Sequence, residues 1–501
     1  MTVRSLSPDI LSVLEDAVGP SGLTADTAGM AKYLGDWAGD YRGSALAVLR
    51  PASVAEVQVL MRLCSELGLG VIPQGGNTGL VSGAIDGTTT GGVVVSLERL
   101  NAIRRIDRAN FTLQADAGCV LQTIKEASEA EDCLFPLALG AQGSCQIGGN
   151  AATNAGGVNV LRYGMARDLI LGLEVVLADG ELWNGFSGLR KNNSGYDLKQ
   201  LFIGSEGTLG IITGVEVKLF PKPARVETAY LGLISFEAAI GLFNRARRAC
   251  SDLISAFEII GSECIDLARL VDPGMTAPVA APVHALIELS SGPTIDLNGV
   301  LASFLTDALE GGLVADAVLA TSNAQAKAFW AIREGLVEGQ AKRGYHVRTD
   351  LSVRISDIPA LVERARRFVA TEHPGWIALA YGHAGDGNIH FNVLPPLDLA
   401  DGEARARGEE ITAGLYDIAV RLGGSISAEH GIGRSRAREF WAGLSPAHRR
   451  MAAALKTALD PKGVMNPGCL LPSTARGCRP SRSFPRSSAS AAMWCARRLP
   501  S

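Results

Sequence analysis

Apolar residues recur at helical spacing in "SVAEVQVLMRLCSELG", where Val54, Val57, Leu60, Leu63, Cys64 and Leu67 make one stripe and Ser53 and Glu56 stand at capping-box spacing. The pattern predicts a helix that feeds the short apolar strand "GVIP". Further strands are expected in "GGVVVSLERL", in "FTLQADAG", in "LILGLEVVLADGELW" with its Asp-Gly turn, and in the alternating "GIITGVEVKLF". After the break "PKPAR" the pattern becomes strand, helix, strand, and then repeats. The first unit is "AYLGLI", "FEAAIGLFNRARRAC" and "AFEII", and the second is "HALIELS", "LNGVLASFLTDAL" and "ADAVLA". A sheet backed by helices is implied, with an internal duplication as one reading. The fold class expected is α+β: a first domain over residues 1–222, a second α+β domain over 223–470 with an antiparallel sheet, and a tail over 471–501.

Composition changes this picture in four places. The chain has 501 residues, is 47% hydrophobic and carries a net charge of -4, which suits a large globular protein and disfavours a nucleic-acid surface. The N-terminus carries acids where a signal peptide needs an apolar core, and no apolar run is long enough to span a bilayer, so a soluble cytoplasmic protein is expected. Nine cysteines at irregular spacing, without a C-x-x-C pair, read as small core residues of a reducing compartment. The tail from Arg476 holds six arginines and no acid, and reads as disordered or as a non-native extension.

Two loops draw attention next. "QGGNTGLVSGA" follows a strand, and "LGAQGSCQIGGNAATNAGG" answers it; small residues let backbone N–H groups approach an anion. Neither is a G-x-G-x-x-G fingerprint or a P-loop. Two such loops in one domain suit an extended polar cofactor. "PQGGNTGLVSGA", "GSCQIGGNAATNAGGVNVLRYG" and "NNSGYDLKQLFIGSEGTLGIIT" together resemble the FAD-binding (PCMH-type) domain of the vanillyl-alcohol oxidase and para-cresol methylhydroxylase superfamily. "GHAGDGNIHFNV" and "SAEHGIG" resemble its FAD-linked D-2-hydroxyacid dehydrogenase branch, nearest to the D-2-hydroxyglutarate dehydrogenases.

That resemblance implies a pyrophosphate held by Gly75, Gly76, Asn77, Thr78 and Gly79, flanked by Pro73 and Leu80. It puts Gly140, Gly143, Ser144, Ile147, Gly148, Gly149, Asn150, Thr153, Asn154, Gly156 and Gly157 along the FAD, and Glu206, Gly207 and Ile211 near its far end. Ser82 stands where relatives usually have glycine. Some superfamily members attach FAD through a histidine near the first loop. The first histidine here is His284, so the flavin is expected to be non-covalent.

The stretch "YGHAGDGNIHFNV" packs two histidines beside polar neighbours. If Asp386-Gly387 makes a two-residue hairpin turn, His383 opposes His390 on one face, and Asn392 points the same way. Two imidazoles so placed reach one metal ion; a four-residue loop would unpair them. An anionic third ligand is wanted, and "SAEHGIG" supplies Glu429 beside His430. The resemblance implies a divalent metal on His383, His390 and Glu429, zinc first and manganese as the alternative.

Oxidation of a 2-hydroxyacid needs the hydroxyl proton removed as hydride leaves C2 for the flavin. His430 is the expected base and Asn392 an expected hydrogen-bond partner of the substrate. The family's carboxylate-binding arginine aligns on Arg333. Arg348 replaces a usual lysine, Val337 replaces a hydroxyl residue found in the 2-hydroxyglutarate enzymes, and Arg354 stands where proline is common. The implied reaction turns a D-2-hydroxyacid into its 2-oxoacid, D-2-hydroxyglutarate ahead of D-lactate and glycolate. Electrons would pass to an electron-transfer flavoprotein, a quinone or a cytochrome, with a homodimer left open. The alternative is a flavin-containing transferase of the alkylglycerone-phosphate synthase type, without net oxidation.

Overall fold

The computed structural model describes residues 6–37, 39, 41–86 and 91–472. Most of the arginine-rich tail lies outside the described residues.

The expected helix runs Val54–Leu67: Ser53 accepts the Glu56 N–H at 3.2 Å, and Gly68 ends it in the left-handed conformation at φ 66. Val57, Leu60 and Cys64 are buried as the stripe requires; Met61 joins them, while Leu67 is exposed. This helix returns the chain to a four-stranded sheet in which Ala47–Leu49, Gly92–Ser96 and Gly70–Gln74 run parallel and Leu23–Thr24 pairs antiparallel at the edge. An antiparallel five-stranded sheet follows, with Ile103–Asp107, Thr112–Asp116, Ile211–Lys218, Ile170–Val176 and Leu182–Asn184 in that spatial order. The anticipated Asp-Gly turn is present, with Gly180 at φ 85. One apolar core, which includes Leu60, Val71, Leu113 and Val215, unites these elements.

The later part of the chain forms a seven-stranded antiparallel sheet. Its order is Val314–Leu319, Arg225–Leu233, Val283–Ser291, Ile254–Gly261, Ile377–His383, Asn388–Leu394 and Leu351–Ser352. The two strand, helix, strand units interleave: each places one strand between the two of its partner, so both crossover helices, Phe236–Cys250 and Leu297–Glu310, cover the same face. The other face packs on the helices Ile265–Val271 and Asn323–Arg343 through Tyr230, Ile260, Leu286, Tyr381, Ile332 and Leu336. On that second face, even-numbered positions of Ile254–Gly261 and odd-numbered positions of Ile377–His383 point together. Glu258 and His383 are thereby carried under the helix that bears Arg333. Among the described residues no helix is long and apolar enough to cross a membrane. The seven described cysteines are all buried and free.

Candidate functional site

The hairpin register differs from the sequence expectation. Tyr381, not His383, pairs with His390, and Ala384 to Gly387 make a four-residue loop. The cause is local: Asp386 Oδ1 accepts the Asn388 N–H at 3.2 Å, and Gly387, at φ 89, passes so close to the Val353 carbonyl that a Cβ would collide with it. The shift is by two residues, so side chains keep their faces, where a one-residue slip would have turned them over. The two imidazoles therefore remain neighbours although not directly opposed, with ring centroids 5.4 Å apart.

Glu429 brings the cluster to a point. Its Oε1 lies 3.8 Å from His383 Nε2, 3.7 Å from His390 Nε2 and 4.0 Å from His430 Nε2. Two donors about 2.0–2.1 Å from one tetrahedral ion stand roughly 3.3 Å apart, so a small inward movement would complete such a site. Burial drives His390 down to about 3, which keeps it neutral. Burial also opposes charge on His383, but the carboxylates of Glu258 and Glu429 outweigh it and raise its pKa well above the usual imidazole range. Burial likewise disfavours the Glu429 carboxylate; the surrounding imidazoles, His383 foremost, still hold it well below the usual range. Buried carboxylate and imidazoles thus compensate one another's charge.

The loop that carries Glu429 and His430 is gripped by two buried carboxylates, one from each of the two large sheet-bearing parts of the chain. Asp350 Oδ2 accepts the backbone N–H groups of Ala428, Glu429 and His430 at 3.0, 2.9 and 2.8 Å. Glu206 accepts those of Ile432 at 2.8 Å and Gly433 at 2.6 Å. Gly157 completes the clasp by donating its N–H to Glu429 Oε2 at 2.9 Å. Asp350, His390, Glu429 and His430 offer donor atoms within 4.8 Å of one another. The oxygens of Asp350 are taken up by the loop amides and by the Asn388 side-chain amide, however, which makes it scaffold to the cluster.

Beside this cluster opens a cleft whose wall includes Gly75 to Gly79 of the first loop and Gly148, Gly149, Asn150 and Thr153 of the second. Pro73, Glu206, Gly207 and Ile211 also line it, and so does His430. The other residues expected along the cofactor stand off this wall. Gly140, Gly143 and Ser144 sit at an exposed turn, and Ile147 is in the core. Asn154 ends the helix Ile147–Thr153 in the left-handed conformation while its Oδ1 accepts the Arg167 N–H, and Leu80 is half-buried beside the first loop. Gly156 and Gly157 face Glu429.

Two family models match this chain: one of the FAD binding domain over residues 45–185, and one of the C-terminal domain of FAD linked oxidases over 222–470. Mitochondrial D-2-hydroxyglutarate dehydrogenase of Bos taurus is 40% identical over 474 residues, which span 94% of this chain and 85% of the bovine protein. The chain belongs to the FAD-linked D-2-hydroxyacid dehydrogenase family. The flavoenzyme shares its fold with p-cresol methylhydroxylase, at a TM-score of 0.74 and 16% identity over 93% of this chain and 96% of that one. It shares it equally with alkyldihydroxyacetonephosphate synthase, at 0.72 and 16% over 93% and 86%.

The flavoenzyme's cleft fits FAD on its own chemistry. Gln146 Oε1 and Asn150 Oδ1 are buried on its wall without hydrogen-bond partners, as acceptors awaiting a polar ligand would be. No histidine precedes His284, so neither glycine loop carries an imidazole of its own, and the histidine on the cleft wall is His430. The imidazole and carboxylate donors of His383, His390 and Glu429 likewise suit a borderline divalent cation.

Arg333 is buried in this flavoenzyme; its Nε donates to Glu258 Oε2 at 2.8 Å and its guanidinium lies 4.8 Å over the Tyr381 ring. Arg348 is half-buried and close enough to Tyr381 to lower its phenol pKa, against the larger upward push of burial. Val337 sits one turn beyond Arg333 on the same helix and is 47% exposed. Asn392 is committed at both ends: its Oδ1 accepts the Thr349 N–H at 3.0 Å, and its Nδ2 donates to Gln340 Oε1 at 2.6 Å and Tyr381 Oη at 3.2 Å.

Sequence reasoning missed Glu258, Asp350 and Gln146. The first two had a signal: an acid in the middle of the apolar strand "AFEII", and an acid in "TDLSV" next to residues of strand type. Gln146 had none, being one polar residue among many in its loop.

Proposed function

We propose that this flavoenzyme oxidises a D-2-hydroxyacid to the corresponding 2-oxoacid with the help of a divalent cation, D-2-hydroxyglutarate ahead of D-lactate and glycolate. The observation that carries the reading is the convergence of three imidazole Nε2 atoms on Glu429 Oε1 at 3.7–4.0 Å, with His430 shared between that cluster and the cofactor cleft. The bovine relative's name supports the substrate.

Bound FAD would supply the hydride acceptor, and a dication on His383, His390 and Glu429, zinc before manganese, would supply Lewis acidity toward the substrate hydroxyl. His430 takes the hydroxyl proton at Nε2, the nitrogen on the Glu429 side. Its ring stacks on His390 at 5.7 Å and 17°, which fixes the imidazole plane. Arg333 pairs the substrate carboxylate through its Nη edge, since Nε is occupied by Glu258. Arg348 offers a second cation for a distal carboxylate, while Val337 contributes no hydrogen bond there. Asn392 acts on the substrate pocket by holding Tyr381 and Gln340 in place. A cytoplasmic location and an acceptor of the electron-transfer flavoprotein, quinone or cytochrome class belong to the same proposal.

The test is an anaerobic titration with a panel of D- and L-2-hydroxyacids, following flavin absorbance with and without a chelator. Lasting bleaching by D-acids, abolished by the chelator, is expected. Failure of every D-acid to reduce the flavin with Zn²⁺ present would remove the proposal, and reduction that does not persist would favour a transferase.

A further inference from the structure

We propose that Glu258 is a positioning residue that ties the metal-binding imidazole of His383 to the substrate-binding guanidinium of Arg333. The inference rests on the reading above, in which His383 is a metal ligand and Arg333 holds the substrate carboxylate.

Glu258 sits in the centre of the seven-stranded sheet, on the strand Ile254–Gly261, directly opposite His383 on the neighbouring strand. Opposed residues on one face bring their Cβ atoms about 4.5–5.5 Å apart, within reach of a glutamate and an imidazole. The helix Asn323–Arg343 crosses the same face, anchored by Ile332 and Leu336, and lowers Arg333 onto the same carboxylate. Each oxygen then has its own partner. Oε1 lies 2.5 Å from His383 Nδ1, and Oε2 accepts from Arg333 Nε at 2.8 Å. The Glu258 side chain is 1% exposed, so water cannot stand in for either contact.

The consequence is chemical on both sides. With Nδ1–H donated to Glu258, the proton that the His383 ring would give up on metal binding is the one on Nε2, which would leave the lone pair on the atom that faces Glu429 at 3.8 Å. With Nε engaged, the guanidinium is fixed about its long axis against Tyr381, and its Nη edge is the one left for a ligand. A single carboxylate thereby sets the aim of the metal ligand and of the substrate anchor. Glutamine, of the same shape, offers one oxygen and one NH₂ group. Whichever end the NH₂ takes, a donor faces a donor there, and at the other end a neutral amide oxygen replaces a carboxylate, so both the aim of His383 and the hold on Arg333 are weakened.

The experiment compares the FAD-loaded full-length parent with E258Q and H383A. Zn²⁺ affinity is measured by competition with a chromogenic chelator, and KM and kcat for D-2-hydroxyglutarate are measured at saturating Zn²⁺. E258Q is expected to retain parental flavin, to bind Zn²⁺ about 10–100-fold more weakly, and to show a raised KM with a smaller change in kcat. A loss of Zn²⁺ affinity smaller than about tenfold, the lower bound for such outer contacts, overturns the role toward His383. An unchanged KM overturns the role toward Arg333. H383A separates the two levels: if it keeps parental Zn²⁺ affinity the metal-site reading itself fails, and if it loses Zn²⁺ while E258Q does not, this inference fails alone. Should E258Q not fold, nitrogen-15 spectra of the Zn²⁺-loaded, histidine-labelled parent decide. A His383 ring protonated at Nδ1 supports the assignment, and one protonated at Nε2 overturns it.

Discussion

Gly157 donates its backbone N–H to Glu429 Oε2 across 2.9 Å, joining positions 272 residues apart in the chain. The second glycine loop and the loop that carries Glu429 are thus built as one unit. Gly157 is at φ 94, and a Cβ there would run into the carbonyl oxygen of Ala138. Gly157→Ala is therefore expected to cost about 1–3 kcal/mol of stability through backbone strain, and to lower bound Zn²⁺. Metal analysis of the purified variant together with thermal unfolding checks this; full Zn²⁺ content at parental stability would refute the link.

Asp350 carries a second prediction. Asp350→Ala strands the N–H groups of Glu429 and His430, whereas Ala428 N–H keeps the backbone carbonyl of residue 350 and the Asn388 amide keeps that of Leu351. Each orphaned donor costs roughly 1–3 kcal/mol, so a loss of at least about 2 kcal/mol is expected. Denaturant unfolding measures the total. Hydrogen exchange should show the loss concentrated at residues 429 and 430, and uniform loosening would contradict the scaffold role.

Arg333→Lys tests the substrate anchor. A lysine keeps the charge and gives up the planar fork, with a loss of about 1.5–3 kcal/mol, or roughly 10–100-fold in kcat/KM, carried mostly by KM. Steady-state kinetics on a D-2-hydroxyacid with the flavin spectrum unchanged is the check. A parental KM would release Arg333 from the role.

Acid stability follows from Glu258. Burial pushes its carboxylate up, but His383 and Arg333 together hold it at about 2, below its ordinary 4.5. A depressed carboxylate stabilises the fold above its unfolded pKa, and that contribution fades as pH falls through its folded value. Stability of metal-free protein is expected to decline between about pH 4.5 and 2, with a shallower decline in E258Q. Chemical unfolding at a series of pH values measures both slopes, and parallel curves would contradict the assignment.

Ser82 yields a stabilising change. It is buried at φ 57, in the left-handed region. That conformation costs a side-chain-bearing residue about 1–2 kcal/mol, against about 0.5–1 kcal/mol of extra chain entropy lost by glycine. Ser82→Gly should thus raise the unfolding temperature slightly, by up to about 1 kcal/mol of stability. A lower temperature would mean that the serine side chain contributes more than the strain removes.

Much of the fold was legible because its signals are local. The capped helix from Val54, the Asp179-Gly180 turn and the two strand, helix, strand units all follow from residue spacing, which the backbone reads within a few turns. The glycine loops and the pair His383 and His390 were visible for the same reason: their chemistry is written in contiguous residues. Even the misjudged hairpin kept its faces, because strand alternation has a period of two and the loop lengthened by two.

Residue types and spacing by themselves determined the α+β class, the glycine loops and the imidazole and carboxylate donors gathered around Glu429. Tertiary structure decided which acids serve them. Glu258 meets His383 because sheet order makes their strands adjacent, and it meets Arg333 because a helix crosses that face. Asp350 and Glu206 meet the Glu429 loop from positions far away in the chain. Pairing of distant strands depends on the packing of whole sheets, and no local pattern encodes it. The buried acids that aim this site therefore became identifiable once the chain had closed around them.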